Sequence, residues 1–65
     1  MKKIEIIVKS RLDQRWSEWF NNLDIIHLGS DKTAIMGTLE DMAAFYGLLD
    51  KIKSLGLHLV SVKYY

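Results

Sequence analysis

The chain has 65 residues, with nine Lys and Arg against eight Asp and Glu, a net charge of +1, and neither cysteine nor proline. That length allows one domain, expected over residues 1–65, and excludes large catalytic architectures. The absence of cysteine excludes disulfide staples and thiolate metal sites, and the balanced charge argues against a dedicated nucleic-acid or membrane-surface binder.

Met1-Lys2-Lys3 followed by Ile4 resembles the start of a signal peptide, but Glu5 breaks the apolar stretch and Lys9 ends it. No apolar run approaches the ~18 residues of a membrane span. With no targeting signal, a cytoplasmic location is expected. Residues 4–9 alternate instead: Ile4, Ile6 and Val8 face one way, Glu5, Ile7 and Lys9 the other, which predicts a strand.

From residue 12 the period changes. Leu12, Trp16, Trp19, Phe20 and Leu23 fall at i, i+4, i+7, i+8 and i+11, the spacing of one helix face. A helix of about two to three turns is expected, with Asp13 as N-cap and Asn21-Asn22 as its stop. Residues 24–28 and 33–39 read as two strands joined by the turn Gly29-Ser30-Asp31-Lys32. The alternative leaves 24–28 as a loop and the sheet with three strands.

Residues 41–55 return to helical spacing, with a stripe of Met42, Phe45, Leu49, Ile52 and Leu55. Asp41 or Glu40 supplies negative charge at the N-terminus, and Lys51 and Lys53 supply positive charge near the other end. Gly56 fits a left-handed cap with Leu57 closing it. Residues 57–65 form a last strand, rich in β-branched and aromatic side chains.

The order β-α-β-β-α-β gives an α+β fold, the ferredoxin-like plait, with a four-stranded sheet and both helices on one face. Strands 1 and 3 are expected in the centre and parallel. Gly37 shares parity with Ile35 and Leu39, so on the helix side it would admit a close helix backbone, and mid-helix Gly47 invites the same packing explanation. The other sheet face carries Ile7, Ala34, Met36 and Thr38, and on one choice of parity Val60, Val62 and Tyr64. An open sheet face in water should be mostly polar, and a contiguous apolar one marks association. The expected interface is therefore Ile7, Ala34, Met36, Val60, Val62 and Tyr64, covered by a second copy of the chain. Edge pairing through residues 57–65 is a second route to a homo-oligomer; a monomer with an apolar sheet face is the plain alternative.

Leu12-Asp13, Trp16-Ser17, Trp19-Phe20, Asp41-x-Ala43-Ala44, Gly47-Leu48-Leu49 and Leu55-Gly56-Leu57-x-Leu59-Val60-Ser61-Val62 resemble a family of short bacterial and archaeal proteins. Those proteins share L-D-x-x-W-S-x-W-F, then D-Q-A-A-L-H-G-L-L, then L-G-L-P-L-L-S-V. The likeness spans most of the chain. This sequence departs from it at Met42, Tyr46 and His58, where glutamine, histidine and proline are usual. The resemblance implies one small self-contained domain and brings no catalytic residues with it.

Chemistry-bearing residues are sparse. His27 and His58 have no third ligand at metal spacing, and zinc needs three or four converging donors, so neither metal nor cofactor is expected. Trp16, Trp19 and Phe20 read as core. Lys9, Arg11 and Arg15 gather at the start of the first helix, where an anion could bind, although the segment lacks the glycines of phosphate-cradling loops. RNA-recognition modules of this plait stack bases on central-strand aromatics, which strands 1 and 3 lack. Metal carriers of the plait need C-x-x-C. Amino-acid-sensing ACT modules use a glycine in the first strand–helix loop, absent here.

The expected function is thus a non-enzymatic, self-associating regulatory or interaction module, with room for a small ligand at the subunit interface near His58, Tyr64, Arg11 and Arg15. The alternative is a small enzyme or small-molecule binder that uses His58 and Tyr64 beside an interface pocket.

Overall fold

The computed structural model describes residues 2–20 and 23–65. Among them the elements are β1 (Lys2–Val8), α1 (Trp16–Trp19), β2 (Asp24–Leu28), β3 (Lys32–Leu39), α2 (Met42–Ser54) and β4 (Leu59–Tyr64). The sheet order is β2-β3-β1-β4, and every neighbouring pair is antiparallel. This is the ferredoxin-like plait of the α+β class. β1 and β3 occupy the centre as expected, but they are antiparallel rather than parallel. The β2–β3 hairpin reverses the chain, and the β1–α1–β2 crossover leaves β2 running with β1. Inserted between those two strands, β3 opposes both.

The alternation in β1 decides which face is covered. Ile4, Ile6 and Val8 are fully buried and stand opposite Gly37, Ile35 and Thr33 of β3. Phe45, Leu48 and Ile52 of α2 close the core over them. α2 is bounded as its sequence predicts. The Asp41 carboxylate accepts from the Ala44 amide at 2.9 Å. At the other end Gly56 adopts φ 72°, while the Leu57 and Gly56 amides donate to the carbonyls of Ile52 and Lys53. That paired arrangement is the Schellman cap, which needs a residue free to be left-handed.

The first helix differs from expectation. α1 is a single turn, Trp16–Trp19. The Asp13 carboxylate accepts from the Arg15 amide, closing a turn before the helix begins rather than capping it. Beyond it, the Ser17 hydroxyl donates to the Leu23 carbonyl at 2.6 Å, so the chain folds back at once toward β2. The expected stop at Asn21-Asn22 lies outside the described residues. Leu12, Phe20 and Leu23 are still buried, while Trp16 is half-buried and Trp19 exposed. The apolar spacing here packs an irregular segment, not a long helix.

Thr33 anchors that segment. It is the buried polar residue of the core; its hydroxyl accepts from the Leu12 amide and donates to the Ser10 carbonyl. Gly37 does face the helix side, with φ 155°, but what approaches it is the Leu23 side chain, not a helix backbone. A Cβ there would lie 2.5 Å from Leu23 Cδ2. Gly47 has no packing role at all, since its missing Cβ would meet open space.

Candidate functional site

β4 reads Leu-Val-Ser-Val-Lys-Tyr, a composition that normally packs on both sides of a sheet. Here none of its residues is buried, and only Ser61 is even half-buried. One edge of the strand pairs with β1; the other is the edge of the sheet. The register sets Ile4 opposite Tyr64 and Ile6 opposite Val62. Val62 and Tyr64 therefore lie on the helix side, which corrects their expected place beside Ile7 and Ala34 on the open face. The ring of Phe45 in α2 sits 4.9 Å from that of Tyr64, as this register requires. Val60 sits where the β1–β4 register shifts between Ile7 and Val8, so it belongs to a bulge.

α2 faces this strand with a second apolar stripe. Met42, Tyr46, Leu49 and Lys53 follow one another at i, i+4, i+7 and i+11. Leu49 and Lys53, with Ile52 and Leu57, line a groove of about 240 Å³ whose far wall is Leu59 of β4. Met42 and Tyr46, expected respectively in the core and at no particular site, continue the stripe in the open; Tyr46 is 59% exposed. Leu59, Val62 and Tyr64 of β4 are open as well, at 44, 38 and 36%, so helix and strand each expose an apolar flank. The signal that could have found the helix flank was the stripe itself, offset by one position from the buried one.

The backbone along the β4 flank is equally open. The Tyr65 amide donates to the Lys3 carbonyl at 2.8 Å. In an antiparallel ladder that makes Glu5–Lys63 and Ile7–Ser61 the bonded pairs, so the amides and carbonyls of Val62 and Tyr64 point away from the sheet. None of the side-chain hydrogen bonds among the described residues reaches them.

The opposite sheet face is milder than expected. Ile7, Ala34 and Met36 share it as foreseen, joined by Ile26. Ala34 is already closed off at 2% exposure by its cross-strand neighbours Ile7 and Ile26. Around them stand Lys3, Asp24, Thr38 and the Glu5–Lys63 ion pair at 3.8 Å. A small apolar centre within a charged rim can face water without a partner.

The four expected ligand residues do not converge. His58 precedes β4, and its carbonyl accepts from the Lys9 amide. Tyr64 ends the same strand, roughly 20 Å away at about 3.3 Å per residue. Arg15 pairs with Asp13 at 3.2 Å, and the Arg11 guanidinium donates to the Gly29 carbonyl. Arg11, Leu12, Asp13, Gln14 and His27 do border an open cleft of about 440 Å³. Its polar groups are already engaged: Gln14 Nε2 donates to the Ile25 carbonyl, and the His27 ring bonds the Leu12 carbonyl. The Arg15 amide, then its guanidinium, hold the Asp13 carboxyl below its ordinary value. Its bond to that amide is thus retained in neutral solution and given up as pH falls through the lowered pKa. Among the described residues no group of three His, Asp or Glu is placed to hold a metal ion, and no helix is long and apolar enough to cross a membrane.

Fold and surface together define a small α+β domain whose exposed feature is an apolar edge strand. The chain belongs to a domain family of unknown function, DUF8691, whose model matches residues 3–63. That span takes in both helices and nearly all of the four strands. No curated protein and no solved structure matches the chain.

Proposed function

We propose that this domain is a cytoplasmic, non-enzymatic association module whose partner is a second copy of the chain, joined along β4. One observation carries the reading: a strand of leucine, valines and tyrosine has no buried residue, while its outer amides and carbonyls lack partners among the described residues. Such an edge templates pairing with another strand, and antiparallel pairing of a strand with itself is what a two-fold axis produces. A chain this short also has little core of its own, so burial between copies adds stability that the monomer lacks.

Size-exclusion chromatography with light scattering tests this. A dimer is expected at tens of micromolar, dissociating on dilution. The Val62 amide points away from β1, so Val62→Pro removes an outward donor without removing a β1–β4 hydrogen bond. Val62→Lys places charge on the same flank. Both variants are expected to run as folded monomers by circular dichroism and mass. A wild-type monomer at every concentration sinks the proposal.

The groove between α2 and β4 supports a subsidiary reading, in which a small apolar ligand lies beside the seam against Leu49, Ile52 and Leu59, with Lys53 at its rim. Its test is a rise in melting temperature across a metabolite panel, lost in Leu49→Lys. The pairing of His58 with Tyr64 for catalysis has no such support, given their separation along β4.

A further inference from the structure

Resting on that proposed self-association, we infer its geometry: the two-fold axis passes through Val62, so that the partner's Val62 lies opposite it and each Ser61 faces the partner's Lys63.

The outward groups alternate, belonging to Val62 and Tyr64 but not to Ser61 and Lys63. An antiparallel neighbour must present outward groups to outward groups, which leaves axes at Ser61, Val62, Lys63 or Tyr64; an axis at Tyr64, the last residue of β4, overlaps almost none of the two strands. An axis at Lys63 sets two ammonium groups directly opposite each other, an arrangement that destabilises a pair of strands. An axis at Ser61 pairs Val62 with the partner's Val60 and runs on to the partner's His58, carrying the bulge into the middle of the seam, where the hydrogen-bond phase of the strand changes. An axis at Val62 avoids both. It keeps the bulge at the ends of the seam, opposite Tyr64, and places a neutral hydroxyl across from each lysine.

Side chains agree with this register on both faces of the joined sheet. On the helix side Val62 meets its own copy, and Tyr64 reaches the partner's strand at the bulge that holds Val60. On the other side Ser61 and Lys63 remain polar, with Glu5 next to Lys63. The seam is thus apolar beneath the two copies of α2 and hydrophilic on the face that stays in water.

The sign of a charge effect reads the axis directly. With the axis at Val62, Ser61→Glu adds two opposite-charge pairs with the partner's Lys63, and Ser61→Lys adds two like-charge pairs. The dimer dissociation constant is expected to fall about 2- to 30-fold in the first variant and to rise by a similar factor in the second. Ser30→Glu and Ser30→Lys, in the exposed β2–β3 turn, make the same changes in net charge away from the seam and are expected to leave it unchanged. Sedimentation equilibrium at one ionic strength measures all five proteins. If both Ser61 variants weaken the dimer, the axis lies at Ser61 and the inference is overturned. Equal constants in all variants, or matching shifts at Ser30, overturn it as well. A dimer that ignores the charge at Ser61 refutes the axis alone, whereas a wild-type monomer refutes the association reading beneath it.

Discussion

The sheet has two outer strands, and the chain treats them oppositely. β2 is covered: Gln14 caps the outward carbonyl of Ile25, Arg11 reaches Gly29, and the His27 ring is held against Leu12. All of these contacts come from the irregular segment between β1 and α1, pinned in turn by Thr33. Among the described residues β4 has no such cover, and it exposes more large apolar side chains, Leu59, Val60, Val62 and Tyr64 against Ile26 and Leu28 of β2. Edges left open invite pairing, and proteins that must avoid it blunt them with charge, proline or overlying chain. Here the 15 residues between β1 and β2 supply the length that folds back over the β2 edge. The difference leaves β2 covered by its own chain, and β4 is the edge on which the proposed association rests.

Three changes test this contrast, beginning with the largest. Thr33→Val removes the hydroxyl that holds the covering segment and strands the buried Leu12 amide. A loss of about 1–3 kcal/mol is expected in urea unfolding at fixed protein concentration, because an unsatisfied buried donor bears its full desolvation cost. Hydrogen exchange should then rise along β2 before it rises along β1. Gln14→Ala uncovers only the Ile25 carbonyl, for about 1 kcal/mol or less. Its more telling consequence is a second sticky edge. Light scattering is expected to show species larger than a dimer, growing with concentration; an unchanged mass would mean that Gln14 does not protect β2. Gly47→Ala is the smallest change and serves as a control. Its Cβ enters open space on α2, and the gain in helix propensity is about 0.5–1 kcal/mol. Melting temperature should rise while the dimer constant stays fixed, separating stability of the fold from strength of the seam.

Much of the architecture was legible locally. The alternation of Ile4, Ile6 and Val8 named the core face of β1, and Asp41 and Gly56 bounded α2, because caps and strand alternation depend on neighbours in sequence. The segment from Leu12 to Leu23 was misread for an instructive reason. Its apolar spacing suits a helix, yet Leu12, Phe20 and Leu23 are buried in one core with Ile25 and Ile35, while Thr33 holds the Leu12 amide and Gly37 makes room for Leu23, all residues that lie later in the chain. Periodicity reports which residues seek the core; it does not report the backbone that takes them there when side chains such as Ser17 and Asp13 hydrogen-bond the backbone instead.

The candidate site divides in the same way. That residues 57–65 form an apolar, β-rich strand was readable from composition. Which face Val62 and Tyr64 occupy was not, since strand parity depends on a register fixed across the sheet by β1 and shifted by the bulge at Val60. Sequence alone determined the order of elements, the capped helix and the apolar strand, all products of short-range pattern. Only the tertiary structure decided that β1 and β3 run antiparallel, that one edge is capped and that the other is bare. Those outcomes depend on contacts between residues far apart in the chain, where a shift of one position moves a side chain from one face of the sheet to the other.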